Sequence, residues 1–107
     1  MLLNGGVFEN RRFVAPLTLA QFTTRAHVPD SSRALGWDTP SENSSAGTLM
    51  SKRAFGHTGF TGTSMWMDPE TGVFVILLTN RVHPTRDNNQ IREARPQLAD
   101  AVMRGLQ

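Results

Sequence analysis

The residues best suited to chemistry lie in one run, Gly56-His57-Thr58-Gly59-Phe60-Thr61-Gly62. Histidine changes charge around neutral pH and can give or take a proton. Threonine supplies a hydroxyl that both donates and accepts hydrogen bonds, and glycine, lacking a Cβ, lets the main chain approach another group closely. Together they suit the wall of a site that grips a polar substrate through side chains and backbone alike. The same residues admit a plainer reading, in which Gly56, Gly59 and Gly62 serve a twisted hairpin and His57 is a structural histidine.

Other chemistries fit less well. A Gly-Xaa-Ser-Xaa-Gly nucleophile elbow around Ser64 would need glycine where Trp66 stands. A phosphate-binding loop would need lysine after its second glycine, but Gly62 is followed by Thr63-Ser64. His27, His57 and His83 are widely spaced and lack the helical pairing of a metalloprotease, so no metal is expected. Asp68 and Glu70 flank Pro69, where carboxylates are expected for turn reasons alone.

The run must be held by the elements around it. Thr63 to Met67 and Val73 to Asn80 read as two strands joined by the turn Asp68-Pro69-Glu70-Thr71-Gly72. Val73-Phe74-Val75-Ile76-Leu77-Leu78 is apolar without alternation, which predicts a strand buried on both faces with a helix over each. Ile91, Ala94, Leu98, Val102 and Leu106 recur at steps of three and four, the stripe of an amphipathic C-terminal helix. Pro96 should kink or restart that helix near Arg95.

Upstream, Val7 to Val14 reads as a short hairpin and Pro16 as the first position of a helix reaching about Thr24. Arg33 to Asp38, with Leu35 and Trp37 on alternate positions, predicts a strand. Thr39 to Ser51 is rich in Ser, Thr, Gly and Asn, a loop long enough to rim a pocket. The order of elements is α+β. Met1-Leu2-Leu3-Asn4-Gly5-Gly6 has the residues of a helix end, so this is expected to be the C-terminal piece of something larger.

The bulk numbers narrow the partners. With 107 residues, 38% hydrophobic and 19% charged, the chain is globular in composition and has room for one modest core. Its pI is near 10.4, yet the net charge is only +2. The high pI reflects the absence of tyrosine and cysteine more than a strong field. Arg11-Arg12 and Lys52-Arg53 are isolated pairs without interleaved aromatics, so no nucleic-acid partner is expected. No run approaches the roughly 20 apolar residues of a membrane span.

The stretch from Phe55 to Asn80, with its triplet His57-Thr58-Gly59, glycine turn, hairpin, apolar strand and final helix, resembles the end of the serine β-lactamase and penicillin-binding protein superfamily. More narrowly it is similar to the class C β-lactamase, DD-peptidase and esterase branch. That family's third motif is Lys-Thr-Gly or His-Thr-Gly on a strand lining the active site. Met1 to Gly6, Leu35-Gly36-Trp37 and Leu78-Thr79-Asn80-Arg81 extend the resemblance over nearly the whole chain.

The resemblance implies antiparallel sheet strands with a C-terminal covering helix, part of a β-lactamase/transpeptidase-like fold. It implies acyl transfer from a small-molecule or peptide substrate to a serine that a lysine activates and a tyrosine assists, without a cofactor. The Phe60 N–H would be an oxyanion donor, Gly59 would let the substrate approach, Thr58 would offer its hydroxyl to a substrate carboxylate, and His57 would stand near the tyrosine. Histidine in place of lysine weakens the fixed positive charge and favours the DD-peptidase and esterase members.

Two motifs of that family are not in this sequence. The only lysine, Lys52, has Leu49 three residues before it in place of the serine of Ser-Xaa-Xaa-Lys, and there is no tyrosine. The expectation is that residues 1–107 form the C-terminal portion of a domain, inactive alone, whose partner is the N-terminal catalytic part and which self-associates without it. The alternative is a non-catalytic peptide- or partner-binding module using an exposed sheet edge. The resemblance fits a periplasmic or secreted bacterial protein, while the absence of cysteine fits the cytoplasm equally.

Overall fold

The structure is a computed structural model and describes residues 1–106. It opens on a single 3-10 turn, Leu2–Asn4, closed by Gly5 in the left-handed conformation at φ 58°. Strands β1 (Val7–Phe8) and β2 (Arg11–Arg12) follow, joined by Glu9 and Asn10, both at positive φ. Two such residues in a row make the tight turn whose twist matches a hairpin. Helix α1 (Pro16–Thr23) begins with Pro16, whose missing N–H is one that no helix start can use.

Arg33 to Asp38 is not a strand. Gly36, at φ 84°, reverses the chain, the Ala34 N–H donates to the Trp37 carbonyl, and Arg33 meets Asp38 in a 3.0 Å ion pair. Alternating Leu35 and Trp37 resembled a strand pattern, but the left-handed glycine between them overrides it. Asp38 alone then reaches the sheet, where it forms an isolated bridge to Gly56.

That sheet has three antiparallel strands in the order β3 (Phe55–Thr58), β4 (Ser64–Asp68) and β5 (Val73–Leu77). Its register places Gly56, Trp66 and Val75 in one row and His57, Met65 and Ile76 in the next. Successive residues point to opposite faces. A Cβ at Gly56 would collide with the Trp66 ring and the Met65 carbonyl, so the large indole and the glycine form one packing unit.

One face is covered by α2 (Ile91–Gly105) and by the segment before β3. Ala46, Met50, Ala54, Trp66, Val75, Ala99 and Met103 form its core, with Val73, Leu98 and Val102 packed around them. On the other face Phe55 and Met67 are buried, Phe55 beneath the edge of the Trp37 ring at 5.5 Å, but Phe74 is 62% exposed and Ile76 49%. Double-sided burial of β5 is therefore not seen among the described residues. The strand has the composition for it, and this chain lays a helix on one side only.

Two expectations for the last helix also change. It runs through Pro96 without interruption. Its buried face centres on Ile91, Ala99 and Met103, while Ala94 and Leu106 of the apparent stripe are exposed. Ala and Met at steps of four pack against Trp66 and Val75, where larger side chains would not fit so close.

The loop from Thr39 to Ser51 lies beneath α2 and is held by two carboxylates. Asp100 of α2 accepts the Thr48 N–H at 2.7 Å, the Leu49 N–H at 3.0 Å and the Thr48 hydroxyl at 3.0 Å. Asp68, fully buried at the end of β4, accepts the Ser51 N–H and hydroxyl, each at 2.7 Å, and the Glu70 N–H at 2.9 Å. Burial opposes its ionisation, but these donors together with the Thr71 N–H hold its pKa below the usual carboxylate value. The loop does line a cleft, of about 700 Å³, which it shares with Arg92, Glu93, Pro96 and Gln97 of α2.

Candidate active site

Strand β3 is an edge strand, and its outer edge is the feature on which a site can be built. Gly56 spends both backbone groups there on Asp38, donating at 3.0 Å and accepting at 2.7 Å. By strand alternation the N–H and C=O of Thr58 face the same edge, and beyond Asp38 nothing pairs with them. The Gly59 N–H turns inward instead, to the Thr63 carbonyl at 2.8 Å. Phe60, next in the alternation, has an N–H with no acceptor among the described residues.

The turn from Gly59 to Thr63 is closed by the Gly62 N–H donating to the Gly59 carbonyl at 3.1 Å. Gly62 lies at φ 115°, and a Cβ there would strike the Thr79 hydroxyl and the Arg81 backbone. Each of the five carbonyls in this turn has a donor. The Arg95 side chain, through one nitrogen, donates to the Gly59 carbonyl at 2.7 Å and the Thr63 carbonyl at 2.8 Å. Arg81 Nε donates to the Phe60 carbonyl at 2.7 Å, the Arg81 backbone N–H to the Thr61 carbonyl at 2.9 Å, and the Thr79 hydroxyl to the Gly62 carbonyl at 2.7 Å.

Charge around the turn is positive. The guanidinium of Arg81 lies 4.3 Å from the centre of the Phe60 ring and that of Arg86 lies 5.1 Å away, close enough for attraction to its π face. Burial lowers the pKa of Arg95, and the Arg81 charge lowers it further, although a guanidinium stays protonated in any case. Its buried Nε has no partner. Asp and Glu are absent from the turn itself, and Asp38, the carboxylate bridged to the edge of β3, is paired with Arg33, so the field at the turn favours an anion or a developing oxyanion.

The four residues expected to act are consecutive, and they occupy the end of the edge strand and the start of the turn after it. His57 is exposed on the sheet face that carries Met65 and Ile76, Thr58 is half-buried on the opposite face, and Gly59 and Phe60 begin the turn. The Phe60 ring is 60% exposed. A Cβ at Gly59 would meet the Thr63 hydroxyl, so this glycine also has a reason internal to the turn. Among the described residues no three His, Asp or Glu side chains gather closely enough to hold a metal ion, and no helix is long and apolar enough to cross a membrane.

Sequence reasoning passed over Arg95 and treated Arg81 only as part of a familiar tetrapeptide. A signal for Arg95 was present. Ile91, Arg95, Ala99 and Met103 recur every four residues, which puts a cation on the core-facing stripe of a helix, where it requires buried acceptors.

An antiparallel sheet with a covering C-terminal helix, and a glycine turn at the edge strand exposing an unpaired N–H, makes an α+β unit consistent with part of a β-lactamase/transpeptidase-like fold. The family model described as Beta-lactamase matches residues 1–100, and the chain belongs to that family. It is 35% identical over 94 residues to proteins named "Putative D-alanyl-D-alanine carboxypeptidase" in Salmonella gallinarum and Salmonella paratyphi B. Each match covers 85% of this chain and 22% of the relative, so the chain spans less than a quarter of the length of these relatives.

Proposed function

We propose that residues 1–107 are the C-terminal portion of a serine acyl hydrolase domain and form the third-motif wall of its active site. The observation that carries this reading is the unpaired Phe60 N–H, placed directly after His57-Thr58-Gly59 at the free end of an edge strand. An acyl chain lying antiparallel to β3 would pair with the free Thr58 backbone groups. Its carbonyl oxygen would then meet the Phe60 N–H, which stabilises the negative charge that develops when a serine oxygen attacks the carbonyl carbon. The nucleophile with its lysine, and the tyrosine, would come from a part of the domain not in this sequence.

His57 would then stand toward the tyrosine from one face of β3, and the Thr58 hydroxyl toward the substrate from the opposite face. The names of the Salmonella relatives favour a peptide ending in D-alanine as substrate, with the Thr58 hydroxyl donating to its terminal carboxylate. A small ester or a β-lactam offers the same reacting carbonyl. The test is Phe60→Pro in the full-length protein, which deletes the N–H outright. It should lower kcat by about a hundredfold or more, while Phe60→Ala, which keeps the N–H, should stay within about tenfold of wild type. Equal losses in the two variants would remove the oxyanion role and leave the sheet edge as a peptide- or partner-binding surface.

A further inference from the structure

Arg95 stands on α2, outside the third motif and 36 residues from Gly59 in sequence. Its Nη2 nonetheless bridges both ends of the Gly59–Thr63 turn through two carbonyls. The Gly59–Phe60 peptide bond is trans, as are all those described except His83-Pro84. In a trans peptide the C=O and the N–H point in opposite directions within one rigid plane. Whatever fixes the Gly59 carbonyl therefore also fixes the Phe60 N–H.

We infer that Arg95 is a positioning residue for acyl transfer: by drawing the Gly59 carbonyl toward α2 it aims the Phe60 N–H outward at the free edge of β3. The consequence for catalysis rests on the function proposed above, whereas the control of the peptide plane does not. The guanidinium acts in a second way along the same bond. A cation on a carbonyl oxygen polarises the amide and makes its N–H a stronger donor. The alternative anchor for the Gly59 carbonyl, the Gly62 N–H at 3.1 Å, is longer and uncharged and belongs to the turn itself, so it moves with the turn.

The test uses Arg95→Met and Arg95→Lys in the full-length protein. Crystal structures of both should be compared with wild type for the orientation of the Gly59–Phe60 plane, and steady-state hydrolysis of an activated ester should be measured alongside. Methionine fills much of the same space without a donor, and should let the plane rotate and lower kcat about ten- to a hundredfold with KM within about threefold. Lysine restores a charged donor and should recover part of the loss. If Arg95→Met does not fold, the lysine variant carries the test alone, since its shorter reach should leave one of the two carbonyls unbound and kcat reduced. A plane unmoved in Arg95→Met, or a lower melting temperature with kcat unchanged in either variant, overturns the inference. A rotated plane in a protein whose wild type transfers no acyl group supports the role of Arg95 and refutes the proposed function instead.

Discussion

His57 illustrates how a single side chain divides the functional options. It lies exposed on the sheet face beside Met65 and Ile76, with no hydrogen-bond partner among the described residues, so the fold itself does not require an imidazole there. Under the function proposed above, that leaves His57 free to meet the substrate or the tyrosine. His57→Lys would put a charged lysine ammonium where the imidazole stands. Hydrolysis of carboxylate-bearing substrates by the full-length protein should improve severalfold, with little change for uncharged esters. Equal effects on both substrate types would show that His57 does not face the substrate.

At the scale of elements, the long loop is tied to the sheet by the buried Asp68 and to the helix above it by the partly exposed Asp100, and this gives the fold an acid limit. Asp68 and Asp100 both have pKa values held below the ordinary one: burial opposes this in each, but the Ser51, Glu70 and Thr71 donors prevail for Asp68, and the Thr48 and Leu49 donors with the Arg104 charge prevail for Asp100. A depressed pKa contributes stability that is complete above the unfolded value near 4 and is lost as pH falls through the lower folded value. Melting temperature should therefore decline below about pH 4. Asp68→Asn, which removes the charge and sets an amide against four donors, should cost about 2 kcal/mol at pH 7 and flatten that decline. A melting curve as steep in acid as wild type would mean that Asp68 is not the group responsible. The elements themselves were largely legible: hairpin, helix start at Pro16, turn at Asp68 to Gly72 and final helix follow from local residue types. What local types do not reveal is which side of an apolar strand its own chain covers, or that a charged residue on a helix reaches back to a turn. The apolar run in β5 and the cation at Arg95 both depend on contacts made far along the sequence. The four motif residues were legible because they are consecutive, while Arg81 and Arg95 join them only through tertiary structure.

For the whole molecule, the open sheet face has a measurable consequence. The radius of gyration is 14.6 Å, against about 13 Å for a compact domain of this length, and Phe74, Ile76 and Leu78 lie exposed together. The 107-residue chain on its own should bind a hydrophobic dye or self-associate, and it should not turn over a chromogenic ester or β-lactam, because it has neither a Ser-Xaa-Xaa-Lys nor a tyrosine. A monodisperse chain with a sharp melt and no dye binding would show that this face needs no cover, and turnover by the purified chain would sink the placement of the nucleophile outside it. The carbonyl donors of the Gly59–Thr63 turn have one more effect, on the order of assembly. All of those from outside the turn lie later in the chain, at Thr79, Arg81 and Arg95. A ribosome completes the motif well before it delivers these donors, so a nascent chain holds His57-Thr58-Gly59-Phe60 in sequence while the turn still lacks its shape. Premature termination just before Arg95 would leave a product that carries the whole motif but lacks the Arg95 donor to the Gly59 and Thr63 carbonyls.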